Sequence, residues 1–311
     1  MSMNDDRERL HRLISFLGAS KAIADKVSIR QSYAPAEVLA GEIRVGDDCA
    51  AIPDGGGFLL FAAEGMLESF VADDPWFAGY SAVMVNLSDV AAMGGWPIAI
   101  IDVLWTPGAE QSSVIWDGIT AASAAYGVPV VGGHTTTIKS GGAYLAAAVL
   151  GRAEHLLTSF DARPGDDLVM AVDLRGGWRG NKPFWNASVG APLLRLREDL
   201  RLLPALAASG LCKAGKDISN GGIVGTLAML LECSGVGAEL WLDQIPRPSN
   251  SELERWLIAF PSYGYLLSVP RGNTSQVLKH FATRGIAAGT VGRITDSSLF
   301  LSYGAEKERF L

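Results

Sequence analysis

Apolar runs of strand length alternate with amphipathic stretches along this chain, and the alternation recurs in both halves. In residues 5–26, Leu10, Leu13, Ile14 and Leu17 recur at helical spacing, which predicts one amphipathic helix. Residues 27–43 read as irregular. Apolar strands are expected around 50–52 and 58–63. Pro75 opens a predicted helix to about Met93, and Gly94-Gly95 closes it, the order in which proline and glycine suit helix ends. The pattern then predicts a strand over 97–104, a helix over 110–126 and a strand over 128–131. A turn at Gly132-Gly133-His134-Thr135 and a strand over 143–150 follow.

Pro164-Gly165-Asp166-Asp167 reads as a turn leading into a new unit. The domain boundary is therefore placed near residue 155, giving domains 1–154 and 155–311. The second half shows a strand over 168–172, a polar glycine-rich loop over 176–188, and helices near 192–208 and 222–233. Strands are expected near 237–242, 263–269, 286–294 and 298–303, with a helix near 273–284. Strands mixed with helices in both halves predict two α/β or α+β layered domains.

A length of 311 residues suits two domains. With 49% hydrophobic and 19% charged residues the balance is that of a globular protein. The net charge of -7 argues against a nucleic-acid surface. Cys49, Cys212 and Cys233 are too few and scattered for a disulfide framework or a zinc site. The first residues are charged, and no apolar run is long enough to span a bilayer, so a cytoplasmic protein without membrane contact is expected.

The candidate chemistry lies where acids interrupt apolar, Gly- and Ala-rich sequence. These are Gly46-Asp47-Asp48-Cys49, Glu64 after the strand over 58–63, and Asn86-Leu87-Ser88-Asp89-Val90-Ala91-Ala92-Met93-Gly94-Gly95-Trp96-Pro97. A bare carboxylate is costly to bury unless a cation or hydrogen bonds compensate it. Several acids in such surroundings point to a hard metal ion, whose usual companion is a polyphosphate. Asn86 and Asp89 share a helix face, and the choice lies between a ligand pair and local backbone caps. Asp47 and Asp48, as neighbours, point to opposite faces of a strand, so one of them faces a site; a plain turn is the other reading.

Asp217-Ile218-Ser219-Asn220-Gly221-Gly222 precedes a helix whose first N–H groups can hold a phosphate, unless Ser219 or Asn220 simply caps it. The Gly132–Thr135 turn can wrap a phosphate with backbone and hydroxyl donors, His134 being structural or catalytic. Gly210 to Lys216 has the spacing of a phosphate-binding loop, but Asp217 stands where Ser or Thr must bind magnesium, and a helical segment precedes it; that reading is rejected. The Trp- and Gly-rich loop from Gly176 to Trp185 has two readings, a lid over a substrate or aromatic packing on the second domain.

Taken in order, these motifs resemble the aminoimidazole ribonucleotide synthetase-like superfamily, which includes selenophosphate synthetase, thiamin-monophosphate kinase and a hydrogenase-maturation dehydratase. The resemblance runs through Gly46-Asp47-Asp48, Glu64, the Asn86-to-Pro97 signature, Gly132 to Thr135 and Asp217 to Gly222. It implies a two-domain α/β fold, with an N-terminal half-barrel sheet that dimerises and a C-terminal α/β sandwich. It also implies ATP held with several Mg2+ ions. Carried onto this chain, the metal ligands are Asp47, Asp48, Glu64, Asp89 and Asp217. The nucleotide-binding residues are Asn86, Gly132, Gly133, His134, Thr135, Ser219, Asn220, Gly221 and Gly222. Glu64 stands where the family usually has Asp. Residues 1–45 lack the reactive cysteine of selenophosphate synthetase, and Asn220 and His134 depart from thiamin-monophosphate kinase. The resemblance is thus to a separate, synthase-related branch. The function it implies is transfer or use of the ATP phosphate on a small polar metabolite; the alternative is a nucleotide-binding scaffold without turnover.

Overall fold

The computed structural model describes residues 3–28, 41, 43–139 and 141–311. The expectation for 27–43 therefore lies largely outside the described residues. In chain order the elements begin with helices α1 (Met3–Gly18) and α2 (Lys21–Ser28), then strands β1 (Ala50–Asp54) and β2 (Gly57–Gly65). Helices α3 (Glu68–Asp73) and α4 (Pro75–Ala92), strand β3 (Trp96–Thr106), helix α5 (Ala109–Tyr126) and strands β4 (Val130–Thr137) and β5 (Tyr144–Ala153) follow. The chain continues through β6 (Asp167–Val172), β7 (Gly177–Trp178), β8 (Phe184–Asn186), α6 (Leu193–Leu200), α7 (Leu202–Ser209), β9 (Ala214–Asp217), α8 (Gly222–Ser234) and β10 (Gly237–Trp241). It ends with α9 (Leu253–Leu257), β11 (Phe260–Pro261), β12 (Gly264–Val269), α10 (Thr274–Ala282), β13 (Ala287–Thr295), β14 (Leu299–Tyr303) and β15 (Glu306–Arg309).

These elements form two compact units. One comprises Asp48–Leu156 with Gly190–Ala205, and the other the described residues of Met1–Asp47 with Leu157–Val189 and Leu206–Leu311. The chain passes from one unit to the other at 156–157 and again around 190–205. The N-terminal helices, however, cluster with the C-terminal half. Burial explains this: Leu13, Leu17 and Ile23 are core residues shared with Leu227, Leu231 and Leu301.

In the Asp48–Leu156 unit, five strands run in the order β1-β2-β5-β3-β4, antiparallel except for the parallel pair β3–β4. Helix α4 is buried from Phe77 to Ala92, as expected of a helix apolar on every side. Asp74 caps its start by accepting from Phe77 N at 3.2 Å, with Pro75 at the first helical position. The Met93-Gly94-Gly95 signature has a packing reason. Gly94 leaves the helix at φ +76, and a Cβ on Gly95 would collide with Leu60. Helices α4 and α5 approach so closely that a Cβ on Gly79 or Gly118 would strike the other helix's backbone. Arg197 of α6 donates from Nε to Ala125 O at 3.0 Å, satisfying a carbonyl at the negative end of α5.

The other face of this sheet is open and apolar. Phe61 (50% exposed), Leu150 (38%), Ile101 (42%), Trp105 (38%), Tyr144 (43%) and Trp96 (47%) all stand on it. Their pairings, Phe61 with Leu150 and Trp105 with Tyr144, place them on one surface.

The second unit is built on a seven-stranded sheet in the order β15-β14-β10-β13-β6-β12-β9, with a small β11-β8-β7 sheet beside it. The single helix expected over 5–26 is two helices. Gly18 ends the first, and Ser20 restarts the ladder by accepting from Ala24 N at 3.1 Å. The expected Gly132–Thr135 turn is instead part of strand β4, and neither glycine takes a positive φ. Pairing with β3 from Ile100 to Thr106 overrides the local turn preference of the two glycines. The Gly176–Trp185 loop is a hairpin anchored by aromatic packing. Trp178, Trp185 and Trp256 meet edge-on at 5.4–5.8 Å between centroids, and Arg255 lies 3.9 Å over Trp178.

Candidate metal and nucleotide site

In the Asp48–Leu156 unit, the sheet and α4 bring acids together. Asp89, 6% exposed, sits one turn after Asn86 near the end of α4. A carboxylate oxygen of Asp48 lies within 4.8 Å of one of Asp89. Two carboxylates this close repel each other unless a cation lies between them, and hard oxygen donors suit Mg2+. The donor chemistry therefore fits a magnesium ion.

Asp47 has a different setting. Its carboxylate accepts from Ser159 N at 2.8 Å and from Ser159 Oγ at 2.6 Å, within the second unit. Opposite directions for Asp47 and Asp48 were expected from strand alternation; the two residues lie instead in a bend just before β1, where Ser159 engages Asp47 and Asp48 comes to Asp89. No signal in the sequence marked Ser159.

Ladder register places four further positions in one row. Glu64 on β2 pairs with Ala147 on β5, Ala147 with Asp102 on β3, and Asp102 with Gly133 on β4. Directly paired residues share a sheet face, so this row stands on the face that α4 covers. Glu64 is exposed at one end of the row and Gly133 at the other. Gly132, His134 and Thr135 are likewise exposed on β4. Asn86 is fully buried, and its Nδ2 donates to Ala82 O at 2.7 Å and Ala147 O at 3.3 Å. Its amide hydrogens are thus spent inside the protein.

Asp102 was missed by sequence reasoning, although an acid inside Ile100-Ile101-Asp102-Val103-Leu104 is a legible signal. It is 1% exposed. Burial pushes its carboxyl above the usual range, against the smaller opposing effect of its own backbone.

In the second unit, Asp217 ends β9 and is buried. Ile218 N donates to Gly264 O at 2.8 Å, and Ser219 N to Thr226 Oγ1 at 3.3 Å. Helix α8 then starts after Gly221 at φ +102, with no side-chain cap; neither Ser219 nor Asn220 serves as one. Gly222 has φ +64, and a Cβ there would collide with Leu257 and Ile258 backbone. The Cys212 thiol is held inert: burial pushes it up to about 12, and it bonds to Ala214 O and Ser268 O.

Comparison with known proteins decides the family. The N-terminal domain model of the AIR synthase related proteins matches residues 46–153, and the C-terminal domain model matches 175–303. The chain belongs to the AIR synthase related family. Protein sll0787 of Synechocystis is 49% identical over 270 residues, covering 86% of this chain and 84% of that protein. The selenide, water dikinase of Sulfurimonas denitrificans is 24% identical, covering 91% and 85%. Among solved structures, T. maritima PurL complexed with ATP superposes with a TM-score of 0.75 at 18% identity, over 97% of this chain. The chain spans about half the length of that PurL chain, 53%. The family thus has the two-domain mixed α/β fold implied by the motifs, with open sheets. Its relatives include ATP-using synthetases and kinases. None of the described helices is long and apolar enough to cross a membrane.

Proposed function

We propose that this protein is a magnesium-dependent ATP-binding enzyme that transfers the ATP phosphate to, or uses it to activate, a small polar metabolite. The observation that carries the reading is the Asp48–Asp89 pair, two carboxylates held within 4.8 Å with one of them buried. Magnesium, when bound, bridges phosphate oxygens and neutralises charge that develops on the transferring group. Asp48 is the preferred ligand of the Asp47–Asp48 pair, because Ser159 engages both oxygens of Asp47. Asp47 on this reading positions the segment that carries Asp48. Glu64, on the covered sheet face, is proposed as a further carboxylate for the metals. Asp217 takes the same role on the strength of the family motif alone. The uncapped start of α8, with Ser219, Asn220, Gly221 and Gly222, offers backbone N–H groups to a phosphate. The exposed Gly132–Thr135 segment of β4 offers further backbone and hydroxyl donors.

Calorimetric titration with ATP is the test. Affinity is expected only when Mg2+ is present. Equal affinity in chelator would refute the metal-dependent reading, and magnesium-dependent binding with no hydrolysis in any metabolite pool would favour a scaffold without turnover.

A homodimer formed through the open face of the five-stranded sheet is part of the proposal. An apolar surface carrying Phe61, Ile101, Trp105 and Tyr144 is the kind that associates. Light scattering at micromolar concentration is expected to give twice the 32.9 kDa chain mass, and Ile101→Asp to give the single-chain mass. A wild-type monomer rules the dimer out.

A further inference from the structure

We propose that the second unit carries a binding site for a small zwitterionic metabolite of the α-amino-acid type, in a cavity at the β10–β14–β15 end of its seven-stranded sheet. The cavity holds about 430 Å3, within the usual range of small-molecule pockets. Ladder register builds its floor. Trp241 on β10 pairs with Ser302 on β14, and Ser302 with Lys307 on β15. Glu239, two residues before Trp241, pairs with Arg293 on β13. These five side chains therefore share one sheet face. Leu240 and Leu301 point the other way, into the core. Asp243, in the single 3-10 turn Leu242–Gln244, and Ala305, in the β14–β15 turn, line the sides.

The charges on this floor do not balance. Arg293 Nη2 at 2.8 Å and Lys307 Nζ at 2.7 Å donate to the same oxygen of Glu239, Oε2, while Trp241 Nε1 donates to Oε1 at 3.1 Å. Burial opposes ionisation of Glu239, but these three bonds outweigh it and hold the carboxyl below its usual range. One negative charge thus holds two positive ones around a single oxygen, and like charges so close repel. Among the described residues, neither cation pairs with a second carboxylate. Arg293 is 46% exposed and has spent one of its five N–H groups. Lys307 also lies over the Phe300 ring at 4.5 Å. The Arg293–Lys307 pair is therefore a seat for one further carboxylate. Asp243 and Glu306 line the same cavity, and among the described residues neither pairs with a cation. Acids there repel a phosphate dianion and attract an ammonium, so the cavity favours a ligand carrying both charges. Asp217 ends β9, four strands from β10 in the same sheet, about 19 Å away at the usual strand spacing of roughly 4.8 Å. The occupant is thus not the acceptor of a phosphate held near Asp217.

The test uses the whole chain without ATP or magnesium, so its failure and that of the proposed function are distinguishable. Saturation-transfer NMR is run with each of the protein amino acids at millimolar concentration, and with succinate and inorganic phosphate alongside. Transfer to at least one amino acid is expected, and no competition from phosphate. Arg293→Gln removes the fork and is expected to weaken that binding at least tenfold. Ala305→Phe, on the exposed turn, fills the cavity and leaves the bonds to Glu239 in place. It is expected to abolish the transfer and to melt like wild type. Should Arg293→Gln fail to fold, Ala305→Phe decides alone. Absence of transfer to every amino acid means that the Glu239 cluster only ties strands together, and overturns the proposal. So does a signal that survives Ala305→Phe, or binding of succinate or phosphate without any amino acid.

Discussion

Asp89→Asn is expected to weaken magnesium-dependent ATP binding more than tenfold, a loss above about 1.4 kcal/mol, while the protein without ligands becomes no less stable. Two unit charges no more than 4.8 Å apart repel by about 3 kcal/mol or more at an effective dielectric near 20, and less where water screens Asp48. Removing one of them relieves that repulsion in the ion-free protein. A merely structural Asp89 gives the opposite pattern. Losing a side chain that satisfies local backbone groups costs roughly 1 kcal/mol of stability and spares binding. A thermal melt beside a calorimetric titration separates the two. A lowered melting temperature with unchanged ATP affinity would show that Asp89 is no metal ligand.

Trp256→Ala is expected to cost about 3–5 kcal/mol of stability, the range for deleting a large buried aromatic side chain. Trp256 is fully buried, touches Trp178 and Trp185 edge-on, and donates from Nε1 to Pro246 O at 2.8 Å. Trp178→Ala is expected to follow in the same direction with a smaller loss, since Trp178 is only half-buried and loses its Arg255 stack and its 3.1 Å bond to Ser251. Both variants should bind ATP normally per folded molecule. Chemical denaturation with a binding assay on the native fraction checks this. A variant of normal stability that hydrolyses ATP without a co-substrate would restore the lid reading of the Gly176–Trp185 loop.

The helix Pro75–Ala92 could be read from the chain because every level agrees on it. Pro75 starts it, Gly94 ends it, and the residues between are mostly apolar, broken by few polar ones such as Asn86 and Asp89. The same holds for Ala109–Tyr126 and for most strands of both sheets, where short apolar runs are bounded by turn residues. Where expectation and structure differ, a distant partner overrides a local preference. Gly132-Gly133 reads as a turn in isolation, but the parallel ladder with β3 draws it into a strand. Residues 5–26 carry one continuous apolar stripe, yet the helix breaks after Gly18, so that Leu17 and Ile23 can both reach the second unit's core. The small Leu253–Leu257 helix and the β9 strand are too short to leave a periodic trace.

For the site, sequence by itself determined which residue types carry the chemistry. Acids set in apolar sequence announce themselves, because an unpaired buried carboxylate is too costly to keep without a use. Asp47, Asp48, Glu64, Asp89 and Asp217 could be named as candidates on that ground, with the choice between Asp47 and Asp48 left open, and their ordered motifs placed the chain in its family. Only the tertiary structure decided how such residues divide the work. Neighbours in sequence take different partners in the bend that precedes β1, where Ser159 engages Asp47 while Asp48 comes to Asp89. Asn86, one helical turn before Asp89, directs its amide hydrogens to the carbonyls of Ala82 and Ala147. Asp102 acquires its significance from β5 and β4, the strands on either side of it, and from the helix above. Periodicity reports which face a residue occupies, but the depth of its burial and its supply of donors are set by segments far away in the chain.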